Sequence, residues 1–149
     1  MTREDKELLL KDLCARLPYG VKVQYYDNET KKLEAGIIVS CTIPIDETNK
    51  KYPTFITRRD LLIIQGNTIE DIKPYLFPLS SMTDEQKKTL KVLCDWNDEE
   101  VDAQSILVLY QKHFVMKSDV IDWLNENHFD YRGLIEKGLA LDATDLNIY

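Results

Sequence analysis

Glycine and proline are scarce, five of each in 149 residues. With 44% hydrophobic and 30% charged residues, that excludes a disordered or low-complexity chain. The glycines are scattered, so neither G-x-G-x-x-G nor G-x-x-x-x-G-K-[ST] occurs, and nucleotide binding through those loops is disfavoured. The nucleophile elbow G-x-S-x-G is missing as well. Histidine is limited to His113 and His128, and cysteine to Cys14, Cys41 and Cys94. No Cys–Cys or His–His pair has the close spacing of zinc ligands, so folding without metal or cofactor is expected. No apolar run is long enough to span a bilayer, and "MTREDKELLLKDL" lacks a signal-peptide core. With an odd number of distant cysteines, this predicts a cytoplasmic protein with free thiols and no membrane association.

Positive charge is lacking in one region. The net charge is −7, yet residues 1–94 hold 15 Lys/Arg against 14 Asp/Glu, whereas residues 95–149 hold 4 against 12. An acidic C-terminal third repels a phosphate backbone and tolerates basic protein surfaces, so a protein is the expected partner and nucleic acid is not. A solvated acidic face that only aids solubility explains the same charge.

What is present reads as one domain over residues 1–149, with helix plus sheet in 1–80 and a helical part in 81–149. Thr2 and Asp5 form a capping box, and Leu9, Leu13 and Leu17, widened by Leu10 and Cys14, give a helical apolar face that Pro18 and Gly20 end. From Val21 the period falls to two, with Val23 and Tyr25 on the same face, then a polar turn and a second strand containing Gly36, a bulge or close-approach candidate. The segment "PIDETNKKYP" reads as a hairpin tip, "TFITRRDLLIIQG" as one interrupted strand or two, and "TIEDIKPYLFPLS" as a last strand. Thr83 and Gln86 form a second capping box before Leu90, Leu93 and Cys94. Ile106, Leu107, Tyr110 and Phe114 mark another helix after Asp98, Glu99 and Glu100, and Ser118 caps the next. The expected fold is α+β: an N-terminal helix, a small antiparallel curled sheet of SH3-like partial-barrel type, and a helical C-terminal half.

Candidate chemistry concentrates in "DWLNENHFDYRGLIEKGLALD", residues 122–142. Trp123, His128, Phe129, Tyr131 and Arg132 form the best candidate interaction surface if the segment is exposed. As core, the same aromatics act as a closing staple, with "NENH" fraying the helix end and Arg132 paired to Asp122 or Asp130. His128 and Asp130 could orient an imidazole for hydrolysis, although no nucleophile accompanies them. The Lys50–Arg59 region, with Lys51, Tyr52, Phe55 and Arg58, could form a cationic and aromatic platform for nucleic acid, or an edge strand charged against mispairing.

The segments "KDLCARLPYGVKV", "IKPYLFPLSSMT" and "DWLNENHFDYRGLIEKGLALDA" together resemble a family of small uncharacterised proteins from genomes, prophages and mobile elements of anaerobic gut bacteria. The resemblance implies a cytoplasmic, often phage-associated accessory protein and carries no activity, cofactor or catalytic residue. The function expected is a non-enzymatic protein-interaction module, with a nucleic-acid-associated regulator using Lys50–Arg59 as the alternative.

Overall fold

A computed structural model describes residues 1–27, 30–42, 54–59, 62–96, 102, 105, 107–108 and 116–149, with backbone alone at 59 and 62–65. Helix α1 (Arg3–Arg16) leads through a 3-10 turn at Leu17–Tyr19 into strands β1 (Lys22–Asp27) and β2 (Lys32–Thr42). Strands β3 (Thr54–Arg59), β4 (Leu62–Thr68) and β5 (Ile72–Leu76) follow, then helices α2 (Asp84–Leu93) and α3 (Ser118–Glu126), and finally β6 (Leu141–Asp142). The expected hairpin tip at 44–53, His113, and most of the helix expected around 98–114 lie outside the described residues.

Helix α1 starts where the capping box places it. The Thr2 hydroxyl accepts the Asp5 N–H at 3.1 Å, and the Asp5 carboxylate accepts the Thr2 N–H at 3.2 Å. Leu9 and Leu13 are fully buried against the inward side chains of the sheet, Val23, Tyr25, Ile38, Phe55 and Ile72. The period of two in β1 thus serves the core: Val23 and Tyr25 face α1, while Gln24 and Tyr26 face away. The segment "TFITRRDLLIIQG" resolves into two strands, β3 and β4, paired antiparallel.

The sheet has the order β4-β3-β2-β1-β5-β6, so β5 adds beside β1, on the far side from β4. This corrects two expectations. Among the described residues the sheet is open, with β4 and β6 at opposite edges, and the SH3-like partial barrel is not shown. It is also mixed, because β6 runs parallel to β5, pairing Tyr75 with Leu141 and Leu76 with Asp142. Nor do the described residues show a helical C-terminal half: α2 and α3 are helical, but residues 127–149 form turns and β6. Two apolar clusters result. One lies between α1 and the sheet, and the other gathers Leu90, Cys94, Leu107, Val120, Leu124 and Phe129 around α2 and α3.

Gly36 sits where two strands and a ring crowd together. A Cβ there would lie 3.0 Å from the Arg58 carbonyl oxygen and 3.1 Å from Tyr25 Cε1. Both neighbours are held, one by the β2–β3 ladder and the other by the core. Gly36→Ala should therefore destabilise the protein by about 1–3 kcal/mol, read from its urea midpoint. A parental midpoint would show that β2 and β3 separate freely at this point.

Candidate functional site

The segment 122–142 is mostly interior. Phe129, Tyr131 and His128 are buried, while Trp123 and Arg132 are half-buried. Trp123 stacks on Phe129 with ring centroids 5.7 Å apart, and both belong to the α2–α3 cluster. Helix α3 is capped by Lys117, with Ser118 its first residue and no side-chain cap, so Ser118 does not play the expected part.

At its other end α3 is closed, not frayed. The Phe129 N–H donates to the Leu124 carbonyl at 2.9 Å and the His128 N–H to the Asn125 carbonyl at 3.1 Å, a Schellman arrangement. It sets His128 at φ 56, a position that usually takes glycine. The chain then crosses to the sheet, where the Phe77 N–H donates to the His128 carbonyl at 2.9 Å and the Asp130 N–H to the Phe77 carbonyl at 2.8 Å. Phe129 therefore continues the parallel pairing beyond β5.

A buried charge network lies beneath this crossing. Arg16 and Asp12, both wholly buried on α1, pair at 2.8 Å. Arg16 also donates to the Phe129 carbonyl at 2.7 Å and, more weakly, to the Leu124 carbonyl at 3.5 Å. The other Asp12 oxygen accepts from Arg132 at 2.7 Å. Arg132 thus pairs with a carboxylate 120 residues away, and with neither Asp122 nor Asp130 as expected. Tyr131 lies under both guanidinium groups, with its hydroxyl donating to Asn125 at 3.2 Å. The missed signal was local: positions 9, 12, 13 and 16 follow the i, i+3, i+4, i+7 pattern, placing Asp12 and Arg16 in the leucine stripe.

His128 and Asp130 do not form a dyad. Both Asp130 oxygens accept backbone N–H groups, from Leu134 at 2.9 Å and Ile135 at 2.7 Å. The His128 ring stacks on Tyr149 at 3.9 Å, with Nδ1 buried and unpartnered. Burial first, then the nearby Arg16 and Lys22 charges, lower its pKa to about 4. A pocket of about 370 Å³ adjoins this stack, and three of its polar side chains are engaged by the chain itself. Ser81 donates to the Pro78 carbonyl, Gln86 accepts the Thr83 N–H, and Asn127 donates to the Trp123 carbonyl.

The cationic platform fares no better as drawn. Phe55 is fully buried and faces α1, so it cannot stack on a base, while Lys50, Lys51 and Tyr52 lie outside the described residues. Arg58 is exposed on the opposite, outer side of the sheet. That outer side has an apolar strip. Tyr26 and Leu33 are cross-strand partners at 40% and 63% exposure, with Ala35 and Ile37 continuing along β2. Arg58 lies opposite Ile37, and Lys73 lies opposite Gln24. Among the described residues, no three His, Cys, Asp or Glu side chains gather as a metal site requires, and no helix is long and apolar enough to cross a membrane.

Two measurements check this geometry. Asp12→Ala strands Arg16 in the core and removes the Arg132 partner, and should cost about 3–5 kcal/mol by urea denaturation. A loss below about 1 kcal/mol would mean that Arg16 reaches water. For His128, the folded protein holds the ring neutral down to about pH 4, whereas the unfolded chain takes up its proton near 6.5. Stability from this group is therefore present above 6.5 and lost as pH falls towards 4. His128→Asn, which suits the left-handed backbone, should flatten the stability–pH curve in that window. Parallel curves for parent and variant would refute the assignment.

No family model, curated protein or solved structure matches this chain.

Proposed function

We propose that the protein is a non-enzymatic interaction module that docks a partner protein on the outer face of its sheet. The exposed Tyr26–Leu33 pair carries this reading, because large apolar side chains side by side on an open sheet favour a covering partner. Arg58 and Lys73 border the strip, so the partner that fits presents apolar side chains flanked by carboxylates. The engagement of Asp130 with backbone amides, and of His128 with Tyr149, favours a binding role over hydrolysis. A phage- or mobile-element accessory role in the cytoplasm agrees with the resemblance carried by residues 11–23, 72–83 and 122–143. The segment around Trp123, His128, Phe129, Tyr131 and Arg132 serves the fold in this reading.

Tyr26→Ser/Leu33→Asp tests the proposal. Both substitutions fall on exposed positions, so stability should change by less than about 0.5 kcal/mol. A defined host protein retained by the parent at physiological salt, identified by mass spectrometry and lost with the variant, is the expected result. Equal retention by both proteins would sink the proposal. So would tight single-stranded DNA binding that disappears with Arg58→Ala/Lys73→Ala, which would favour the nucleic-acid alternative.

A further inference from the structure

Two of the three cysteines, distant in sequence, meet in the fold. Cys14 lies on α1 and Cys41 on β2, with their sulfurs 4.0 Å apart. Both are free thiols and half-buried, next to the α1–sheet cluster. Cys94, by contrast, is buried in the cluster around α2 and α3. We propose that Cys14 and Cys41 form a reversible oxidation site, whose disulfide ties α1 to the second strand of the sheet.

A disulfide needs sulfurs about 2.05 Å apart, so rotation about the two Cα–Cβ bonds, with a small shift of α1 on the sheet, has to close a gap of about 2 Å. The oxidant is a low-molecular-weight disulfide. The Cys14 thiolate attacks one of its sulfurs, forming a mixed disulfide and releasing one thiol equivalent. Cys41 then loses its proton and attacks Cys14 Sγ, expelling the second thiol. Both protein sulfurs are oxidised, the small disulfide is reduced to two thiols, and the two thiol protons pass to those products. Burial, and secondarily the Cys14 neighbour, push the Cys41 thiol up to about 11, so little of it is thiolate near neutral pH and closure of the bridge is slow there. The same effect makes closure faster as pH rises.

The bridge would close the loop from residue 14 to residue 41 and so restrict the unfolded chain. It would also hold the strand end of α1, two residues from Arg16, against the sheet.

The full chain is incubated with oxidised glutathione, and its remaining thiols are then alkylated under native and denaturing conditions. The expected product has lost the mass of two hydrogens, yields a linked Cys14–Cys41 peptide, and melts about 5–10 °C higher until reduced. Cys94→Ser should behave identically. Cys14→Ser and Cys41→Ser should stop at a glutathione adduct or stay unreacted, without the linked peptide. A parent chain that keeps both sulfurs alkylatable, holds a persistent glutathione adduct on either one, or links through Cys94 would overturn the proposal.

Discussion

The buried Arg16–Asp12 pair is the interaction on which the two halves of this protein depend. Taking two charges out of water costs several kcal/mol per ion unless every donor and oxygen finds a partner. Here the protein supplies partners from far along the sequence. Arg16 reaches the carbonyls of Leu124 and Phe129, and Asp12 holds Arg132 as well. A helix in one apolar cluster is thereby fastened to the end of a helix in the other. Apolar contact alone tolerates sliding and rotation, whereas forked, charged hydrogen bonds to two backbone carbonyls fix a single relative position.

That position explains the aromatic richness of residues 122–142. Phe129 fills the second cluster, Tyr131 covers the guanidinium groups, and His128 accepts the left-handed turn that sends the chain back to the sheet. Each of these side chains has a mechanical task, and the outer face of β1 and β2 carries exposed apolar side chains of its own. A cluster that looks like a recognition site in one dimension is here a joint.

The parts legible in the sequence were those set by neighbours along the chain. Both capping boxes and the inward alternation of Val23 and Tyr25 follow from local spacing. Apart from the place of Asp12 and Arg16 in the leucine stripe, what escaped depended on distant partners. Two residues, Leu141 and Asp142, are too few to show a period, so β6 reads as an arm until it is seen beside β5. The place of β5 next to β1 follows from a crossover with no sequence signal of its own. Phe55 looked like part of a charged platform because Arg58 is near in sequence, but the pleat separates the two faces. Arg132 faced several nearby carboxylates on paper and pairs with one 120 residues away: both oxygens of Asp130 are taken by backbone N–H groups and Asp122 is exposed, whereas the buried Asp12 has an oxygen to offer.

The parallel pairing of Phe77 with Phe129 and of β5 with β6 has a consequence for the order in which the chain takes shape. As the polypeptide leaves the ribosome, α1 and the first five strands emerge before residues 129–142 exist. During that interval one edge of β5 is uncovered, and Arg16 lacks the Phe129 carbonyl that it donates to at 2.7 Å. A nascent chain in this state presents both an open hydrogen-bonding edge and an unsettled core charge, the condition in which strands pair with the wrong neighbour.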